Sequence, residues 1–223
     1  MTAELVSFEA LLAARHSCRA YLPRAVPREL IERVTDAAAR APSWCNAQPW
    51  QLVITEKDST ERLAAALTEH AAQSAMQPDL PWPTAYEGRY KTRRFDCGMQ
   101  LYDAAGIARS DKPARAAQMM ENFRFFGAPH MALVTAPSAL GPYGAIDCGG
   151  FVTAFCLAAR AAGLGSIPQA APAGFAPFLR DWFALPEDRD ILCAISFGYP
   201  EETAPINSFR TPRATAGEII DWR

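Results

Sequence analysis

Arg15, Ser17 and Arg19 fall within the five-residue run Arg15-His16-Ser17-Cys18-Arg19, directly after an apolar segment. Two guanidinium forks and a hydroxyl so spaced can surround a phosphate, because arginine presents planar donors matched to phosphate oxygens. The same run also suits a plain turn carrying two solvated arginines. A second cluster, Pro42-Ser43-Trp44-Cys45-Asn46-Ala47-Gln48-Pro49-Trp50, confines Ser43, Asn46 and Gln48 between Pro42 and Pro49. A rigid loop of that kind can offer donors and acceptors to a flat heterocycle, although a turn leading into a strand uses the prolines equally well. The third is Gly163-Leu164-Gly165-Ser166-Ile167-Pro168-Gln169-Ala170-Ala171, which also reads as a glycine helix cap followed by a short apolar strand. The fourth is the tail from Gly198-Tyr199-Pro200 through Asn207, Arg210 and Arg213, where basic residues are ordinarily solvated.

Other chemistries lack their residues. His16, His70 and His130 stand apart, with no H-E-x-x-H to hold a metal on one helix face. The six cysteines form no C-x-x-C pair, which argues against a zinc site and a disulfide framework and favours a reducing, cytoplasmic setting. Neither a P-loop nor a G-x-G-x-x-G fingerprint is present, so any nicotinamide cofactor binds some other way. A net charge of −2 with 21% charged residues gives no reason to expect nucleic acid. The first 14 residues lack a signal-peptide pattern, and no apolar run is expected to reach the ~18 residues of a membrane span.

The elements that position these clusters follow from periodicity. Ser7 is expected to cap a helix through about Arg15, and Pro27 to begin a second one bearing Leu30, Ile31, Val34, Ala37 and Ala38, with Pro42 stopping it. Trp50 to Thr55 reads as a buried strand, and Asp58 with Glu61 as a capping box for a helix through about Ala72. Pro78, Pro81 and Pro83 make Gln73 to Glu87 a long loop, of the sort that forms lids or walls. Helices are expected at Tyr90 to Ala108, Lys112 to Phe126 and Asp147 to Ala162, and strands at Met131 to Thr135 and Ile191 to Phe197. The Asp147 helix is apolar on nearly every side, so a dimer interface is one way to bury it. A short helical pattern near Glu218 to Trp222 ends the tail. Irregular alternation of strands and helices makes the 223 residues one expected α+β domain, with a long loop at about 73–87 and a tail from about 200 to 223.

Taken in order, these segments resemble the nitroreductase family of flavoproteins. The resemblance rests on R-x-S-x-R, the P-S-x-x-N-x-Q-P-W loop, Phe126-Gly127-Ala128-Pro129 before a strand, Asp147-Cys148-Gly149 opening a helix that ends in G-L-G-S-x-P-Q, and the G-Y-P…N…R-x-x-R tail. It implies a mostly antiparallel sheet flanked by helices, in an intertwined homodimer with FMN at the interface. It further implies that NADH or NADPH reduces FMN, which passes hydride to a nitroaromatic or quinone acceptor in a ping-pong cycle. Arg15, Ser17 and Arg213, with Arg210, would hold the phosphate, and His16 would contribute backbone. Arg19 would approach the N1/O2 edge of the flavin, where a fixed cation stabilises negative charge. Pro42, Ser43, Asn46 and Gln48 would reach the ring from the partner subunit, and Pro168, Gln169, Ala170 and Ala171 would run beside it, with an N–H near N5. Trp44 and Phe126 are candidate aromatic walls for the acceptor, or plain core. No residue need act as a catalytic acid or nucleophile. The pyrimidine contacts that many relatives place after the third helix do not align with Tyr90, Lys91, Arg93 and Arg94. The same superfamily also includes flavin- and oxygen-dependent enzymes that remove halogen or fragment the ring, and a dimer that only stores flavin is the reading outside enzymes.

Overall fold

The computed structural model describes residues 2–223. Four antiparallel strands form its centre: β1 (Gln51–Ile54), β2 (His130–Pro137), β3 (Gly165–Gln169) and β4 (Arg189–Gly198), in the order β1-β2-β4-β3. β2 is buried on both faces, which is why Met131 to Thr135 reads as continuous apolar sequence rather than as alternation. Ala132 and Val134 face one apolar cluster, with Phe151, Phe155, Ile195 and Phe197; Met131 and Leu133 face another, with Leu63, Leu67, Phe175 and Leu179. At the bulge between Val134 and Thr135, Leu192 of β4 has no partner in the register. The extra residue reverses the parity of β4, so Ile191 joins Ala194 on one face.

Helices cover both faces. On the first lie α2 (Arg28–Ala38) and α6 (Gly141–Ala161); on the second lie α3 (Lys57–Gln73) and α7 (Ala176–Phe183). The remaining helices are α1 (Ala3–Ala14), α4 (Gly88–Ala104), α5 (Lys112–Met120) and the single turn α8 (Ala216–Ile219). This is the α+β architecture expected from the sequence, a largely antiparallel sheet between helices.

Several local expectations are corrected. Thr2, not Ser7, caps α1, accepting from the Leu5 N–H, and Ser7 lies within the helix with its hydroxyl bonded to the Ala3 carbonyl. Pro27 is the N-cap of α2, which ends at Ala38, before Pro42 is reached. The Asp58/Glu61 capping box does not form; Glu56 occupies the cap position and Glu61 pairs with Lys57 one turn back. β1 is an edge strand only half buried in this chain, since no strand pairs with its outer side. The helix expected through Phe126 stops at Met120, because Phe125 and Phe126 take left-handed backbone at φ 55° and 53°. α7 is an element that periodicity does not predict, with Pro177 in its first turn and Leu179 buried.

α6 begins at Gly141-Pro142, six residues before the expected start at Asp147, with Pro142 in its first turn. The segment Ser138–Ala161 is long and apolar enough to cross a membrane, with mean hydropathy 1.2, contrary to the expectation that no run reaches that length. Its few charges, Asp147 and Arg160, are too sparse to break the window. One side of it, through Cys148, Phe151 and Phe155, packs on the sheet, while Leu140, Tyr143 and Ile146 face outward.

Candidate active site

The segment after α1 is stitched to the sheet edge. Ser17 bridges Ser166 of β3, the Cys18 N–H donates to the Ser166 carbonyl at 3.1 Å, and Tyr21 bridges Pro200. Such close approach requires glycine on β3: a Cβ at Gly165 would lie 2.7 Å from the Cys18 sulfur. The tail is then fastened to the same segment by Asn207, which is buried. Its Oδ1 accepts from the Arg19 N–H at 2.7 Å, and its Nδ2 donates to the carbonyls of Ala20 and Glu201, each at 2.9 Å.

These attachments gather three sequence segments around one cavity of about 400 Å³. Arg15, His16, Ser17 and Arg19 line it from the first segment, Phe209, Arg210, Thr211 and Arg213 from the tail, and Cys97 from α4. Four arginines and a serine hydroxyl meet there, and among the described residues no carboxylate lines the cavity. Among the described residues none of the four arginines is ion-paired. Arg210 and Arg213 donate instead to tail carbonyls. Such a donor set suits a multiply charged oxyanion, as phosphate is. Burial lowers the His16 pKa; Arg210, Arg160 and Arg15 lower it further, outweighing a 3.3 Å hydrogen bond to the Ala14 carbonyl. His16 is therefore neutral at pH 7 and adds no fifth charge. Because a carbonyl only accepts, Nδ1 carries the proton and Nε2 is a buried acceptor without a protein partner.

The second motif lies apart from this cavity. Pro42, Ser43, Asn46 and Gln48 sit on a loop against the N-terminal half of α6 and do not line the arginine-rich space. The loop holds an unusual shape: Cys45, Asn46 and Gln48 have φ of 51°, 56° and 48°. Left-handed backbone at non-glycine residues persists where surrounding contacts enforce it. Here the Ser43 hydroxyl accepts from the Gln48 N–H at 3.0 Å, and the Asp147 carboxylate accepts from the Trp44 N–H at 3.1 and 3.2 Å. Arg189 ties the loop's end to the sheet through the Pro49 and Thr135 carbonyls. Asp147 thus acts as a loop anchor from the second turn of its helix, not as the helix opener expected.

Trp44 is 59% exposed and packs edge-on against Tyr143 at 4.5 Å, so it is not core. Phe126 is buried, its ring 5.8 Å from the Arg19 guanidinium. Pro168 and Ala170 are exposed at the end of β3, and Ala171 is half-buried. The Gln169 side chain is turned into the core, donating to the Asn122 carbonyl at 3.0 Å and accepting from Ser196. Cys97, Thr211 and Phe209 were not singled out from the sequence, since no spacing signal marks them. Asn207 was legible only as part of the tail pattern. A larger cavity, about 600 Å³, lies between α2 and the start of α3. Its lining balances Arg28, Lys57 and Arg62 against Glu32, Glu56 and Asp58 and contains no motif residue, so volume alone does not identify the site.

Against known proteins, the description "Nitroreductase family" matches residues 12–199. The chain belongs to the nitroreductase family. The nitroreductase NfnB of Mycolicibacterium smegmatis is 36% identical over 211 residues, covering 94% of this chain and 90% of that protein. The 4-nitrobenzoate reductase of Pseudomonas putida is 34% identical over 209 residues, covering 94% and 92%. Among solved structures, the FMN-dependent nitroreductase NfnB from Mycobacterium smegmatis in complex with NADPH superposes with a TM-score of 0.93 at 35% identity over 99% of both chains. The family fold is therefore the fold of this chain, end to end.

Proposed function

We propose that this nitroreductase-family chain is an FMN-dependent oxidoreductase that uses NADH or NADPH to reduce nitroaromatic or quinone acceptors. The observation that carries the reading is the cavity of four unpaired arginines and Ser17 with no acidic group, a fit to the FMN phosphate built from separate segments. FMN, when bound, supplies two-electron hydride transfer from the nicotinamide to the acceptor in alternating halves of a ping-pong cycle. Arg15, Ser17, Arg210 and Arg213 would hold its phosphate, and Arg19 would supply a fixed cation to stabilise negative charge on the reduced ring. His16, being neutral, leaves the phosphate to the arginines. Relatives named for 4-nitrobenzoate reduction, and one solved with NADPH, support the donor and acceptor classes.

The exposed loop at Pro42, Ser43, Asn46 and Gln48 lies away from the cavity, beside outward-facing Trp44, Tyr143 and Ile146. A homodimer gives that apolar patch a cover and lets the loop complete the partner's site over the ring, with Pro168 to Ala171 beside it and Trp44 and Phe126 shaping the acceptor space. We read residues 1–223 as one domain, with 73–87 as its insertion and the tail from 200 as its clasp. Six free thiols suit a reducing, cytoplasmic location.

The test is direct. Purified protein should bind FMN, elute at twice 24.3 kDa, bleach with NADH or NADPH and reoxidise with nitrobenzoate or a quinone. Protein that takes up no FMN would sink the reading, and slow nicotinamide oxidation with every acceptor would point to a flavin store. A Ser17→Ala, Arg213→Ala double variant should bind FMN at least tenfold more weakly; wild-type affinity would refute the phosphate assignment.

A further inference from the structure

Arg19 is a half-buried cation that no carboxylate pairs among the described residues. Its charge is met by a carbonyl and two aromatic faces. Nη1 donates to the Ser17 carbonyl at 3.2 Å, and the guanidinium carbon lies 5.8 Å from the Phe126 centroid and 5.7 Å from that of Phe209. The two rings differ in attachment. Phe126 is buried in the turn before β2, where its left-handed φ of 53° is fixed by packing. Phe209 is half-buried and belongs to the tail, two residues after Asn207 and one before Arg210. One wall of the clamp is therefore rigid and the other arrives with the tail.

Asn207 governs that arrival. It accepts from the backbone N–H of Arg19 itself, at 2.7 Å, and bonds Ala20 and Glu201 with its amide. Docking the tail thus places Phe209 on Arg19 and brings Arg210 and Arg213 to the cavity in the same step. A cation between two π faces is restrained in direction without being neutralised by a counter-ion, so its charge stays available to an anion in the cavity.

We propose that Asn207 and Phe209 are positioning residues that act through Arg19: the tail clamps the guanidinium toward the anionic edge of the flavin, so one docking event fixes both the phosphate donors and the charge that favours the reduced ring. This rests on the FMN reading above. An unclamped arginine samples other rotamers and water, which weakens its interaction with reduced flavin more than with oxidised flavin, because only the reduced ring carries the charge.

The experiment measures the flavin midpoint potential by spectroelectrochemical titration of the holoenzyme, with fluorescence titration of oxidised FMN alongside. Phe209→Leu keeps apolar bulk and removes the π face. Its preference for reduced over oxidised flavin should fall about tenfold, a lowering of about 30 mV for a two-electron couple, any loss of oxidised FMN affinity being smaller than that of reduced FMN. Phe209→Trp should restore the potential. Asn207→Ala should lower the potential and also weaken oxidised FMN binding by about tenfold, because the phosphate donors loosen too. A wild-type potential in Phe209→Leu, or equal losses in the Leu and Trp variants, would overturn the assignment while leaving FMN binding intact. A wild-type chain that binds no FMN would overturn both readings.

Discussion

The segment between α3 and α4, expected to behave as a lid or wall, is nailed down at Asp79. The Asp79 carboxylate oxygen Oδ2 accepts from Arg180 Nη2 at 2.8 Å and from the Ile191 N–H at 2.7 Å. Both side chains are largely buried, at 17% and 11% exposed. Gln77 adds a backbone bond to the Gly174 carbonyl. Asp79→Ala removes the acceptor from a β4 N–H and strands a buried guanidinium, whose remaining partners are the Arg189 carbonyl and Glu187 at 3.7 Å. Breaking a buried pair from one side costs about 3–5 kcal/mol. Glu187 is 92% exposed and free to swing closer, so the lower end, about 3 kcal/mol, is expected. For a chain of this length that corresponds to a fall of about 10 °C in Tm. Asp79→Asn retains one acceptor and should lose only about 1–2 kcal/mol. The double variant Asp79→Ala, Arg180→Met should recover much of the loss, since replacing both charges with apolar groups leaves nothing stranded. Calorimetry at fixed protein and FMN concentration measures all three, and hydrogen exchange should show residues 76–83 opening in Asp79→Ala. A single-variant loss below about 1 kcal/mol, or a double variant no better than the single, would refute the anchoring argument.

Three further outcomes follow from specific contacts. His130 is buried with Nε2 accepting from the Val26 N–H at 2.9 Å and Nδ1 bonded to the Thr55 carbonyl. Burial outweighs that bond and Glu56 and lowers its pKa, so the unfolded chain protonates first as pH falls. Its stabilisation is complete above the ordinary histidine value of about 6.5 and drains away below it, towards the folded value. Urea midpoints between pH 7.5 and 5 should fall more steeply for wild type than for His130→Gln; parallel slopes would exclude the mechanism. Arg189→Met frees the Pro49 and Thr135 carbonyls, and should cost about 1–3 kcal/mol and weaken FMN binding through the 42–49 loop; unchanged Tm and FMN affinity would exclude the anchor. Gly198→Ala puts a Cβ 2.5 Å from Pro129 Cδ, a rigid ring on a rigid turn, and should cost about 1–3 kcal/mol; a Tm within 1 °C of wild type would show that the ring can move.

Long periodic segments of this fold were legible because a single face decides them. α2 lies close to its expected position for that reason, and β2 does so because burial on both faces makes it a continuous apolar run. Helix ends were not, since several depend on distant partners: Asp58 and Glu61 have the composition of a capping box, yet Lys57 takes Glu61 and leaves the cap to Glu56. The turn at Phe125 and Phe126 could not be read from propensity, because left-handed phenylalanine is adopted only under tertiary constraint. α7 was lost for a similar reason: eight residues give too few turns for periodicity to speak.

The candidate site divides along the same line. Each arginine was visible in its own motif, but whether four arginines share a cavity is decided by strand register. Gly165 lies opposite Gly198, so the segment bridged to Ser166 and the chain leaving β4 emerge side by side. That adjacency puts Asn207 within 2.7 Å of the Arg19 N–H across 188 residues of sequence. A slip of one residue between β3 and β4 would turn Ser166 and Ile167 to opposite faces and carry the Ser17 bridge away from the tail. The two glycines guard the geometry from both sides, one closed by Cys18 and the other by Pro129. The soft G-x-G-S and G-Y-P patterns are therefore informative for a packing reason: they mark where two backbones must touch before the phosphate donors can converge.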